Sequence, residues 1–280
     1  MLKYSILTSL YNSEIFLDDY FATVFNQLIL PDQIILIDDT KNPPKLEEII
    51  DKKKIKYKFS NIILLTNKIN LGPTLSLNKG LLRCNNNLIF RLDVDDLWLP
   101  HHTKQTLEYY LKDNSYLIYA NSLRNKNFLT RMKCDKYLIN ENFTIHSSWL
   151  INKNVCKNFK YRINKPSVAL EDYFTLLYYK WHNFKLYTSE NITVNYRENF
   201  FSHGYKNKSN IKYINFRKKI SKLFLILNLK RKTPFQKIYF LLFEYGLIKF
   251  AVLNFWILDY LYIKKCFYFA KKYFKIATNE

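Results

Sequence analysis

The chain has 280 residues, 48% of them hydrophobic, so a sizeable core is available and disorder is excluded as its general state. Only 4 Gly and 7 Pro occur, which excludes a collagen-like or linker-like composition. The formal charge is +21, and residues 205–280 carry 17 Lys or Arg against 3 acids, a balance suited to nucleic acid, anionic lipid or an acidic substrate.

A β-rich apolar run, Tyr4–Leu10, predicts the first strand, and Asn12 or Ser13 can cap the helix that follows. In that helix Leu17, Tyr20, Phe21, Val24, Phe25 and Leu28 fall on one face at helical spacing. Residues 33–37 form a second apolar run ending in Asp38-Asp39, and Pro44 opens a charged helix to about residue 54. Residues 62–65 are a third run. Gly72-Pro73 then breaks the chain ahead of a helix through Leu82. A fourth run, residues 88–92, ends in Asp93-Val94-Asp95-Asp96; Pro100 starts a helix to about residue 112, and residues 116–119 are strand-like.

This alternation predicts an α/β fold with a mostly parallel, Rossmann-type sheet and helices on both faces. Right-handed crossovers put the strand ends on one edge, where ligands bind. Asp38, Asp39, Asp93, Asp95 and Asp96 all follow strand ends, so acids from two strands converge on one rim. Beyond Ala120 the pattern loosens. Glu171-Asp172 opens a helix to Trp181, residues 185–187 and 192–196 read as short strands, and a basic, aromatic, helical stretch from Lys206 is broken at Pro234. The four cysteines, Cys84, Cys134, Cys156 and Cys266, show no metal-ligand spacing and read as free thiols. The apolar run at the start is too short for a signal peptide, which predicts a cytoplasmic location.

Asp93 and Asp95 stand two apart in an extended segment and point to one side. Their charges repel unless a cation separates them, and a hard divalent ion, Mg²⁺ or Mn²⁺, does so while recruiting a diphosphate. Asp38-Asp39 suits a nucleobase N–H or a ribose hydroxyl. Asn67, Asn70, Gly72, Asn78 and Gly80 lie between the third and fourth strands, where Gly72 permits close approach of backbone to a ligand. Neither a Walker A loop nor Gly-x-Gly-x-x-Gly is present. Glu171-Asp172 offers a general base for an acceptor hydroxyl.

Taken in order, Ser5-Ile6-Leu7-Thr8-Ser9-Leu10-Tyr11-Asn12, Ile34-Ile35-Leu36-Ile37-Asp38-Asp39, Asn70-Leu71-Gly72, Asn78-Lys79-Gly80, Arg91-Leu92-Asp93-Val94-Asp95-Asp96 and Glu171-Asp172-Tyr173 resemble the motifs of the family 2 inverting glycosyltransferases. The resemblance covers about residues 3–200 and implies a GT-A fold. It implies that Thr8, Tyr11 and Asp39 line the nucleobase pocket. Asp95 is then the direct metal ligand, with Asp93 near the ribose and also at the metal, and Asp172 is the catalytic base. Tyr196-Arg197 resembles the Tyr-Arg after the family's last sheet segment, with Arg197 facing phosphates, and His203 is the nearest substitute for the histidine that follows it, as a third metal ligand or a phosphate contact. Ser9 replaces a frequent proline and Thr40-Lys41 a usual Gly-Ser. His146-Ser147-Ser148-Trp149 corresponds to a region that faces the acceptor.

The resemblance implies a catalytic domain over residues 1–205, with a nucleotide-sugar half to about residue 120 and an acceptor half beyond. Residues 206–280 form a basic aromatic tail suited to the inner face of the membrane. The implied partners are a nucleotide-sugar donor, a glycan or lipid-linked acceptor and an anionic membrane surface, in surface polysaccharide or lipopolysaccharide synthesis. Three other classes compete. A haloacid-dehalogenase-type phosphatase needs Thr or Val where Leu97 stands, and carries its acids on the first strand. A nucleic-acid-binding module requires a basic groove where this rim is acidic, so no nucleic-acid partner is expected. A membrane-surface protein without catalysis is the third: residues 238–263 are strongly apolar, but Glu244, Lys249 and Asp259 interrupt them, so the stretch suits the membrane interface rather than a span.

Overall fold

The computed structural model describes residues 2–40, 46–121, 144–162, 171–189 and 191–197. The expected domain boundary after residue 205, His203 and the basic tail lie outside the described residues. The first half runs β1 (Tyr4–Leu10), α1 (Leu17–Phe25), β2 (Gln33–Asp38), α2 (Leu46–Tyr57), β3 (Ile62–Thr66), α3 (Pro73–Leu81) and β4 (Leu88–Arg91). Then come β5 (Leu97–Trp98), α4 (His102–Lys112), β6 (Ile118–Asn121), β7 (Leu150–Asn152), α5 (Glu171–Trp181), β8 (Leu186–Ser189) and β9 (Val194–Asn195).

Seven strands form one sheet in the order β3-β2-β1-β4-β7-β6-β8, and β5 pairs with β9 in a separate ribbon. The pairs among β1 to β4 and the pair β6–β8 are parallel, while β7 runs antiparallel to both β4 and β6. The mostly parallel α/β sheet expected from the sequence is therefore present. Two strands escape the sequence pattern, β5 and β7, because two or three residues are too few to display a period. The strand expected at 116–119 lies two residues later, and α2 runs on to Tyr57.

Strand alternation assigns the faces. Tyr4, Ile6 and Leu10 of β1, with Ile34, Leu36 and Phe90, join Tyr20, Phe21 and Val24 of α1 in the main core. Phe25 continues it, stacking on Tyr57 of α2 at 4.3 Å between ring centroids. The opposite face packs on α3 through Gly80. A Cβ there would lie 2.4 Å from Leu7 Cδ1 and 2.5 Å from Ile37 Cδ1, and both of those side chains are fully buried. Gly80, which as a glycine within a helix costs helicity, thus has a packing reason. Gly80→Val is expected to lower the unfolding free energy by about 2 kcal/mol or more, the scale of core overpacking. Urea denaturation checks this, and an unchanged midpoint contradicts it.

Candidate active site

Chain direction creates the crevice. From β1 the chain moves outward to β2 and β3, then returns to β4 on the other side of β1. Such a reversal opens a cleft beyond the carboxyl ends of the two central strands. Ser9 and Leu10 end β1 there, and Asp93 follows β4 by two residues.

Asp38 and Asp39 end up on opposite faces. Asp39 joins the α3 face, where its Oδ1 accepts from Asn67 Nδ2 at 2.8 Å and Leu71 N at 2.7 Å, and its Oδ2 from Gly72 N at 2.7 Å. Asn70 Nδ2 donates to the Asp39 carbonyl at 2.8 Å. These bonds account for the Asn67, Asn70 and Gly72 pattern: one buried carboxylate gathers the loop ahead of α3. Gly72 is required there because its φ is 80°, a region that L side chains avoid. Asp38 accepts from Thr40 N at 3.0 Å, and its other carboxylate oxygen is buried without a partner. Burial pushes its pKa up.

Thr8, expected in the nucleobase pocket, lies on the α1 face. It is fully buried, with its hydroxyl 2.9 Å from Tyr20 OH and donating to the Leu92 carbonyl at 2.8 Å. Ser9 is the partly exposed hydroxyl on the cleft face, 3.5 Å from Arg91 Nη2. Sequence reasoning noted Ser9 only as a replacement for proline. Strand alternation could have separated it from Thr8, since Ser9 shares parity with Leu7 of the α3 face. Tyr11 stands at the rim, half exposed.

The acid turn after β4 is closed by Asp96 N donating to the Asp93 carbonyl at 3.2 Å. Its carboxylates are not equivalent. Asp93, whose side chain is 34% exposed, is ion-paired with the buried Arg91 two residues earlier on the same strand face. Burial disfavours the Asp93 charge, yet Arg91 and the Ser147 hydroxyl outweigh it and hold the carboxyl below its usual range. Asp96 is buried; desolvation and then repulsion from Asp93 push its carboxyl up to about 7. Asp95, between them, is partly exposed. His146 Nδ1 lies 3.9 Å from Asp93 and its Nε2 lies 3.0 Å from Tyr161 OH. Burial lowers this imidazole to about 3, so it is neutral near pH 7 and the approach to Asp93 is dipolar rather than ionic.

Arg197, expected to face phosphates, clips elements together. Its backbone N–H donates to Asp96 Oδ1 at 3.0 Å, its Nε to the Asp95 carbonyl, and its Nη1 to Asp19 of α1 at 2.6 Å. The guanidinium carbon lies 5.4 Å from the Phe16 ring centroid, and Nη2 is buried without a partner. Asp172 sits in the first turn of α5 and accepts from Tyr173 N at 2.6 Å.

Glu171 belongs to the same electrostatic cluster as Asp172, Asp93 and Arg91. Burial, then Asp172, raises its carboxyl to about 8, and its Oε2 is buried without a partner. The folded protein therefore holds a proton on Glu171 that the unfolded chain releases near pH 4.5. Stability from this group is full below that pH and declines as pH rises to about 8. Glu171→Gln is expected to flatten that decline, which denaturation at pH 5 and pH 8 measures. Parallel curves for the two proteins contradict it.

The model of the family described as glycosyl transferase family 2 matches residues 5–170. The glycosyltransferase MJ1057 of Methanocaldococcus jannaschii is 26% identical over 73% of this chain and 75% of its own length. An Escherichia coli UDP-Gal:alpha-D-GlcNAc-diphosphoundecaprenol beta-1,3-galactosyltransferase is 29% identical over 40% of each chain, so the match spans two-fifths of that protein. Among solved structures, the mannosyltransferase PcManGT from Pyrobaculum calidifontis, in complex with GDP-Man and Mn²⁺, superposes with a TM-score of 0.61 at 12% identity. That match covers 90% of this chain and 73% of the other. With the acids after β4 and the Glu-Asp pair opening α5 set in a GT-A sheet, the chain belongs to glycosyl transferase family 2.

Proposed function

We propose that the protein transfers a sugar from a nucleoside-diphosphate sugar to a hydroxyl of a glycan or lipid-linked acceptor, with inversion, in surface polysaccharide synthesis. The observation carrying this reading is electrostatic: carboxylates of the acid turn and of α5, far apart in sequence, act on one another around Arg91 and Tyr161. One set suits the donor and the other the acceptor.

The acid turn fits a divalent cation. Asp95 is a partly exposed hard oxygen donor, while Arg91 already balances Asp93. No group of three or more His, Cys, Asp or Glu suited to a metal forms among the described residues. Mg²⁺ and Mn²⁺ are commonly held by one or two protein carboxylates, with water and substrate phosphates completing the shell. In this reading Asp95 would hold the ion, which would supply positive charge beside the nucleoside diphosphate. Tyr11 and Ser9 border the donor, and Asp39 shapes that pocket through the loop it gathers. Asp172 takes the proton from the acceptor hydroxyl as its oxygen bonds to the anomeric carbon from the face opposite the leaving phosphate. The bond from the anomeric carbon to phosphate breaks in the same displacement, so the configuration inverts.

A panel of nucleotide sugars with Mn²⁺ tests this. Transfer or nucleoside-diphosphate release with a matching donor supports it; inertness toward every donor overturns it. The tail, residues 206–280, is proposed to hold the enzyme against anionic lipid. No helix among the described residues is long and apolar enough to cross a membrane. Sedimentation of the full chain with anionic vesicles at low salt, lost at high salt, is the expected result; no binding at low salt contradicts it.

A further inference from the structure

We infer that Ser147 is a positioning residue that holds the Asp93–Asp96 turn so that Asp95 is presented to the donor side of the cleft. This rests on the reading of Asp95 as the cation-holding carboxylate. Ser147 lies in a short 3-10 turn, His146–Ser148, and is fully buried. Its Oγ accepts from Asp93 N at 3.0 Å, lies 3.1 Å from Asp93 Oδ2 and is hydrogen-bonded to Asp96 Oδ2. A hydroxyl has one proton and two lone pairs. It can therefore satisfy the Asp93 N–H while serving one carboxylate at a time, and it stands between the two.

The turn that carries the hydroxyl is itself held by hydrogen bonds. The Ser147 carbonyl accepts from Trp98 Nε1 at 2.6 Å. The preceding His146 is bonded to Tyr161, and the following Ser148 Oγ donates to the Ile145 carbonyl at 2.6 Å and accepts from Asn121 N at 2.7 Å. The antiparallel insertion of β7 beside β4 carries the segment to the acid turn, with Arg91 N donating to the Trp149 carbonyl at 2.9 Å. Asp93 is thus held by Arg91 and Ser147, Asp96 by Ser147 and the Arg197 N–H, and the Asp95 carbonyl by Arg197. Ser147 touches both flanking acids through one atom. Partners of this kind, one step behind a metal ligand, typically change metal affinity or activity by about 10–100-fold when removed.

The test separates the hydroxyl from packing. Ser147→Thr and Ser147→Val have nearly the same shape and differ by the hydroxyl; Ser147→Ala removes it without added bulk. Mn²⁺ binding to the full chain is measured by electron paramagnetic resonance of the free ion, without donor, alongside turnover and melting temperature. Thr is expected to exceed Val by about tenfold or more in Mn²⁺ affinity and in kcat at similar melting temperatures, with Ala resembling Val. Thr and Val falling equally, Ala binding Mn²⁺ and turning over like the unaltered protein, or failure of all three to fold would overturn the inference. Asp95→Asn is run beside them. If the unaltered protein binds no Mn²⁺, or Asp95→Asn leaves binding unchanged, the reading of Asp95 itself fails, a result seen without any Ser147 variant.

Discussion

Asp95→Asn is expected to leave the fold intact and to lower sugar transfer by about 10²–10³-fold, the scale on which one electrostatic contact to developing charge is worth. The substitution keeps size and one oxygen but removes the negative charge. The side chain is partly exposed at a strand end, outside the buried core. Asp93 is already ion-paired with Arg91, and Asp96 is buried and hydrogen-bonded to Ser147. Transfer assays with the matching donor at saturating Mn²⁺, with circular dichroism as the folding control, measure the effect. Full activity of the variant, or of the unaltered protein in EDTA, would remove Asp95 from the role.

Asp172→Asn is expected to cut transfer by about 10²–10⁴-fold while donor affinity stays near that of the unaltered protein. Asn retains an oxygen that can accept from Tyr173 N, the bond Asp172 makes in the first turn of α5. The variant therefore loses basicity while keeping an acceptor for that N–H. The neighbouring Glu171 is a poor base at neutral pH, since burial keeps its carboxyl protonated up to about 8. Single-turnover transfer beside an equilibrium donor-binding measurement separates chemistry from affinity. If Glu171→Gln is the crippling change and Asp172→Asn is silent, the roles within the pair are reversed.

The fold and the rim were legible where local pattern carries long-range information. Strands β1, β2 and β4 are buried on both faces, so each reads as a largely apolar run, and β2 and β4 lead into acids because their carboxyl ends emerge at the cleft. The order of motifs pointed to the family, and the family match bears that out. The charge network around α5 was not legible, because Glu171 and Arg91 meet only after the chain between them has folded back.

By itself the sequence determined the α/β class, the helix faces and the acids at the strand ends, all consequences of periods within some twenty residues. Only the tertiary structure decided what each polar group does. Which face of β1 meets α1 buries Thr8 and leaves Ser9 on the cleft. The pairing of β7 with β4 brings Ser147 onto the acid turn, and Arg197 arrives there from β9 to bind a carbonyl and two acids rather than solvent. The physical reason is desolvation. A carboxylate or guanidinium leaving water must find a partner, and that partner is set by packing between segments tens of residues apart, where no local period reaches.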